Sequence, residues 1–118
     1  MKIRTLFLAA TLAGAAVTPL VTFGGADDSI EKMVMSASTK ADHEALARHY
    51  EAETSALLAK AEEHRTMGAA YGHVDYGKGG AAALAQHCKN LESSYRTAAA
   101  ENESLARIHQ ALAAEAAK

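Results

Sequence analysis

The chain reads as an all-α protein, a long antiparallel two-helix hairpin with coiled-coil-like packing. Three observations predict it. Leu84, Leu91, Ala98, Leu105 and Leu112 recur every seventh residue, and Cys88, Tyr95, Asn102 and His109 follow four places after the first four of them. This 4, 3 alternation is the pattern of a helix with a seam for a partner helix. Upstream, residues 39–67 contain neither Gly nor Pro. A helix over 39–71 would be about 50 Å long at about 1.5 Å per residue. Between the two stretches lies GHVDYGKGG, residues 72–80, four glycines in nine residues, and so a turn. A short connection makes the two helices antiparallel neighbours.

Taken in order, residues 1–26 have the form of a signal peptide. Lys2 and Arg4 make a basic start, Thr5 to Val17 is an apolar run, Pro19 breaks it, and Gly24-Gly25-Ala26 offers small residues for cleavage. The break favours cleavage over a membrane span, which would want about 20 apolar residues. The expected location is therefore periplasmic or secreted, with no membrane association after cleavage. Residues 27–38 form an N-terminal arm. There Asp28-Ser29-Ile30-Glu31 looks like a capping box opening a short helix. Thr39 with Asp42 three residues later starts the first long helix, residues 39–71, and Gly72 stops it. The loop covers 72–80 and the second helix covers 81–117.

The first helix repeats the 3, 4 spacing at His43, Leu46, Tyr50, Glu53, Leu57, Lys60, His64, Met67 and Tyr71. Pairing Tyr71 with Leu84 across the loop sets the register. Met67 then faces Cys88, His64 faces Leu91, Lys60 faces Tyr95, Glu53 faces Asn102, Tyr50 faces Leu105, Leu46 faces His109 and His43 faces Leu112. Residues 44–52 (EALARHYEA) and 103–111 (ESLARIHQA) echo each other across the open end.

Removing 26 residues from 118 leaves 92, and it takes both Phe; the chain has no Trp. What remains is seven Leu, two Ile, two Val, three Met and four Tyr among many Ala, a thin core for one domain. Two such helices alone bury too little, so a homodimer forming a four-helix bundle is expected. Loss of Lys2 and Arg4 shifts the formal net charge from −2 to −4. A mildly acidic chain with scattered cations has no footprint for nucleic acid.

Two groups of residues could hold a metal. At the loop end, Cys88, Met67, His64 and His87 combine thiolate, thioether and imidazole, a set suited to copper(I) first and zinc second. Met and Cys are also ordinary core fillers. At the open end, His43 and His109 are both seam residues about one turn apart across the interface. They could bind copper(II), zinc or nickel, or tune assembly with pH. Glu53, Asn102, Lys60 and Tyr95 make a polar middle whose expected role is to set register. A di-iron bundle needs Glu-x-x-His pairs, absent after residue 26. No nucleophile elbow, phosphate loop or C-x-x-C-H motif is present, so no enzyme activity is expected. The single Cys88 is a free thiol, a ligand or an intermolecular bridge.

His49-Tyr50, then LAKAEEH-x2-M over residues 58–67 and HC-x2-L-x3-Y-x2-AA-x-EN over 87–102, resemble small secreted bacterial helical-hairpin proteins of unassigned function. The resemblance covers most of residues 40–112 and implies secretion and a helical hairpin. The leading functional expectation is a small exported metal-binding protein, copper before zinc, acting as buffer, carrier or stress protein. The alternative is a structural or interaction module, chaperone-like or adaptor, with no metal.

Overall fold

A computed structural model describes residues 26–118. The expected signal peptide lies outside the described residues except for Ala26. Three helices follow in order: α1 (Ala26–Ser36), α2 (Lys40–Tyr71) and α3 (Gly80–Ala116). α2 and α3 pack along each other as a hairpin, while α1 touches only the start of this arrangement, through α2. Among the described residues there is no strand, and no helix is long and apolar enough to cross a membrane.

Each helix end follows from local chemistry. Thr39 is extended (φ −105°, ψ 163°) and its hydroxyl accepts from the Asp42 amide at 3.2 Å. The Asp42 carboxylate accepts from the amides of Thr39 (2.9 Å) and Ser38 (3.1 Å). This reciprocal box satisfies donors that the first helical turn leaves without partners. Those backbone donors hold the Asp42 carboxyl below the usual carboxylate range. α1 is helical over Ala26–Ser36, so the expected opening at Asp28–Glu31 falls within the described helix. Gly72 ends α2 in a right-handed conformation (φ −67°). The left-handed turns come later, at Gly77, Lys78 and Gly79, with the Asp75 carboxylate accepting from the Gly77 amide at 2.7 Å.

The packing corrects the expected seam. Leu46, Ala47 and Ala61 on α2, and Cys88, Ala99, Ala106 and Ala113 on α3, are the buried residues. The tightest rows are therefore small ones. Ala47, Thr54, Ala61 and Gly68 repeat every seventh residue on α2, and Ala85, Ala99, Ala106 and Ala113 share one seven-residue row on α3, interrupted by the half-buried Glu92. Between them run His43, Tyr50, Leu57, His64 and Tyr71, and Cys88, Tyr95, Asn102 and His109, all half-buried except buried Cys88. The Leu row is not in this seam. Leu84, Leu91, Leu105 and Leu112 keep 39–42% of their surface exposed. Lys60 is exposed, and the fully buried Ala61 takes its expected place. Small side chains let two backbones approach until almost every contact atom is shared, and Leu at those positions would hold the helices apart.

The close approach is visible at Gly68. A Cβ there would lie 3.2 Å from the Cβ of Cys88, so Cys88 packs directly against Gly68. The Thr54 hydroxyl bonds its own Tyr50 carbonyl at 2.8 Å and reaches the Ala99 carbonyl of α3 at 3.4 Å. The Asn102 amide donates to Ala98 on its own helix at 3.0 Å, so it makes no register-setting bond with Glu53. Among the described residues, five ion pairs lie within single helices at i, i+3 or i, i+4, and a sixth joins Glu115 to Lys118 just past the end of α3; such pairs add a few tenths of a kcal/mol at most.

Candidate metal centre at the open end

The two ends of the hairpin differ. At the open end α2 begins and α3 finishes, and here the structure brings two of the expected ligands together. The Nδ1 atoms of His43 and His109 lie 3.1 Å apart, with ring centroids 5.4 Å apart and planes 28° from parallel. Tyr50, one helical step of seven beyond His43, stacks near-parallel to His109 at 5.6 Å and 14°. His49 meets the edge of Tyr50 at 5.2 Å. Just outside, the Gln110 amide donates to the Glu51 carboxylate at 2.6 Å. His109 thus meets the His43 imidazole edge to edge through Nδ1 and lies near-parallel to the Tyr50 phenol, and the rows 43, 50 and 109 place it there. His109 therefore meets His43 and Tyr50.

The chemistry of the pair follows from the contact. In the hydrogen bond one Nδ1–H donates and the other Nδ1 accepts, so the two neutral rings hold different tautomers. Two protonated rings could not share this geometry. Partial burial, and then the charge of His43, hold the His109 imidazolium below its ordinary range. A group that binds protons less readily when folded favours folding at higher pH. Its contribution is complete above the unfolded imidazole value of about 6.5 and is lost as pH falls below it. The thermal midpoint should therefore drop between about pH 7 and pH 5, followed by circular dichroism, and His109→Gln should flatten that drop. Asp42 titrates in a separate window, below about pH 4, where its depressed carboxyl is finally protonated and the cap is lost.

At the loop end the expected ligands are placed differently. Cys88 is a buried free thiol under Gly68. His64 stacks on Tyr95 at 5.5 Å and 12°, and its Nδ1 is buried without a hydrogen-bond partner. Met67 is half-buried and His87 is exposed. Among the described residues, no three or more His, Cys, Asp or Glu side chains come close enough to hold one metal ion. The imidazole pair is the hydrogen-bonded contact among the expected ligands. Tyr50 was legible as a seam residue but not as the ring stacked on His109, because periodicity gives the row and not the ring it stacks on.

The fold and this end together define an antiparallel helical hairpin with a paired-imidazole terminus. No family model matches the chain, and neither a curated protein nor a solved structure matches it.

Proposed function

We propose that the chain is a small exported metal-binding protein that holds a divalent transition metal between His43 and His109, with copper(II) preferred and zinc next. It acts as a buffer, carrier or stress protein, and its working form is a pair of hairpins in a four-helix bundle. The observation that carries the metal reading is the 3.1 Å between the two Nδ1 atoms. Two nitrogens each about 2.0–2.1 Å from one ion and 3.1 Å apart subtend about 100° at it, between the square-planar and tetrahedral angles. Binding needs the ring donating Nδ1–H to shift its proton to Nε2, and both rings to turn so that their Nδ1 lone pairs, which face each other across 3.1 Å, converge on the ion. The depressed affinity of His109 for a proton reduces competition at neutral pH. Copper(II) heads the divalent series for nitrogen ligands. Water completes the coordination, which suits exchange better than permanent storage.

Calorimetric titration of copper(II) and zinc tests the reading. Copper(II) should bind with a Kd of about a micromolar or tighter, near −8 kcal/mol. His43→Ala and His109→Ala should each weaken it about 100-fold, while Cys88→Ala and His87→Ala leave it unchanged. Loss of binding only in Cys88→Ala would move the site to the loop end. The exposed Leu row favours a second reading, a structural or interaction module without metal, and failure of wild-type protein to bind either ion would select it.

A further inference from the structure

The Leu row of α3 runs along the edge of the hairpin and keeps about two-fifths of its Leu surface open. Leu84, Leu91, Leu105 and Leu112 are exposed to similar extents, 39%, 42%, 39% and 42%, along the whole helix. Beside them, on the flank away from α2, His87, Ser94, Glu101 and Ile108 continue the 3, 4 spacing, and Ile108 is 55% exposed. So α3 carries two seams. One, through Cys88, Tyr95, Asn102 and His109, is used by α2. The other, through the Leu row, is open. The order of side chains along it is Leu, Leu, Ala, Leu, Leu, which reads the same in both directions about Ala98. A closed dimer interface must be self-complementary in this way, since residue i on one copy meets j on the other and j meets i.

We propose that this row docks on the same row of a second copy, antiparallel, across a two-fold axis passing beside Ala98. Leu84 then meets Leu112, Leu91 meets Leu105, and the two Ala98 methyls meet each other, where the small side chain permits close approach. Glu101 faces Ser94 of the second copy, so no acid is set against an acid. The open seam and the α2 seam lie roughly a quarter-turn apart around α3, which is the geometry of a square four-helix bundle. The inference rests on the paired-hairpin reading above and adds its surface and its symmetry. It does not depend on metal.

The stripe from Leu84 to Leu112 is about 42 Å long and about 10 Å wide, roughly 400 Å² per copy from α3 alone. A standard stable interface buries about 800 Å² per partner. The dimer should therefore dissociate in the micromolar range.

Protein expressed from the full chain, examined by light scattering across about 1–200 µM, should pass from monomer to dimer. Leu91→Lys with Leu105→Lys should weaken association at least about 100-fold while far-UV circular dichroism keeps its helical signal, because both positions are exposed in the single hairpin. Cross-linking reads the symmetry. In a Cys88→Ala background, Ala98→Cys should form an intermolecular disulfide with diamide as oxidant. Leu91→Cys alone should not, because its two copies would lie about 21 Å apart along the axis, whereas a disulfide needs Cα atoms within about 7 Å. Leu91→Cys with Leu105→Cys should cross-link again. A monomer at every concentration would overturn the paired-hairpin reading together with this inference. A dimer in which Ala98→Cys stays uncross-linked, or Leu91→Cys alone cross-links, would overturn this interface and leave the dimer to another surface.

Discussion

Leu46→Ala is expected to cost the hairpin about 2–5 kcal/mol, enough to unfold much of the population at 37 °C. Leu46 is 1% exposed and is the largest side chain fully buried among the described residues; the rest of the core is Ala and Cys88. A small domain of this kind holds only about 3–5 kcal/mol in reserve. Removing three carbons from a site lined by short rigid side chains leaves a void that Ala neighbours cannot fill. The effect is also local. Leu46 lies three residues after His43 and four before Tyr50, the same face of the same helix. The variant should therefore loosen the His43–His109 contact as well as lower the midpoint. Copper(II), binding the folded form, should restore part of the midpoint by mass action, about 2.7 kcal/mol at a hundred times Kd. Urea melts with and without copper(II) measure both effects.

Ala61→Leu is the second large effect, with the opposite physical cause. Ala61 has no exposed surface and belongs to the small row that sets the helix separation. Three added carbons have nowhere to go, and overpacking typically costs about 1–3 kcal/mol. The same change at exposed Ala59 alters helix propensity equally and should stay within about 0.5 kcal/mol of wild type. A thermal melt of the two variants side by side separates overpacking from propensity. Equal midpoints would mean that the small rows do not form the contact.

An all-α hairpin was legible in the sequence, because uninterrupted Ala-rich stretches flanking a glycine cluster leave few alternatives. The Thr39–Asp42 box was legible because its spacing is its mechanism. The choice of seam was not. Cys88, Tyr95, Asn102 and His109 make a 4, 3 pattern equally well with the Leu row on one side or the Ala row on the other. Hydrophobicity points to Leu, but a two-helix contact gains most from close approach, and Ala47, Ala61, Gly68, Ala99 and Ala106 allow it. The heptad of small residues was the missed signal. It carries no hydrophobic weight and reads as background in an Ala-rich chain. With the seam turned by one row, His64 meets Tyr95, Cys88 meets Gly68, and the Leu row is left for another helix.

The same rotation explains the candidate site. His43 and His109 were legible as seam residues at one end, and the structure puts their ring nitrogens in contact. The loop-end set of Cys88, Met67, His64 and His87 shares a region but not a focus, because His87 points along the outer flank and Cys88 is closed over by Gly68. Sequence spacing reports which residues share a helix face. It does not report which of them a small-residue contact will cover.

The most direct test of the account is a long-range proton–nitrogen NMR spectrum of the histidine rings before and after one equivalent of zinc. The free protein should show His43 and His109 as neutral rings of different tautomers at pH 7.5, and zinc should move the Nδ1 signals of these two rings together. Movement confined to His64 or His87, or no ring moving at all, would contradict the paired-imidazole centre.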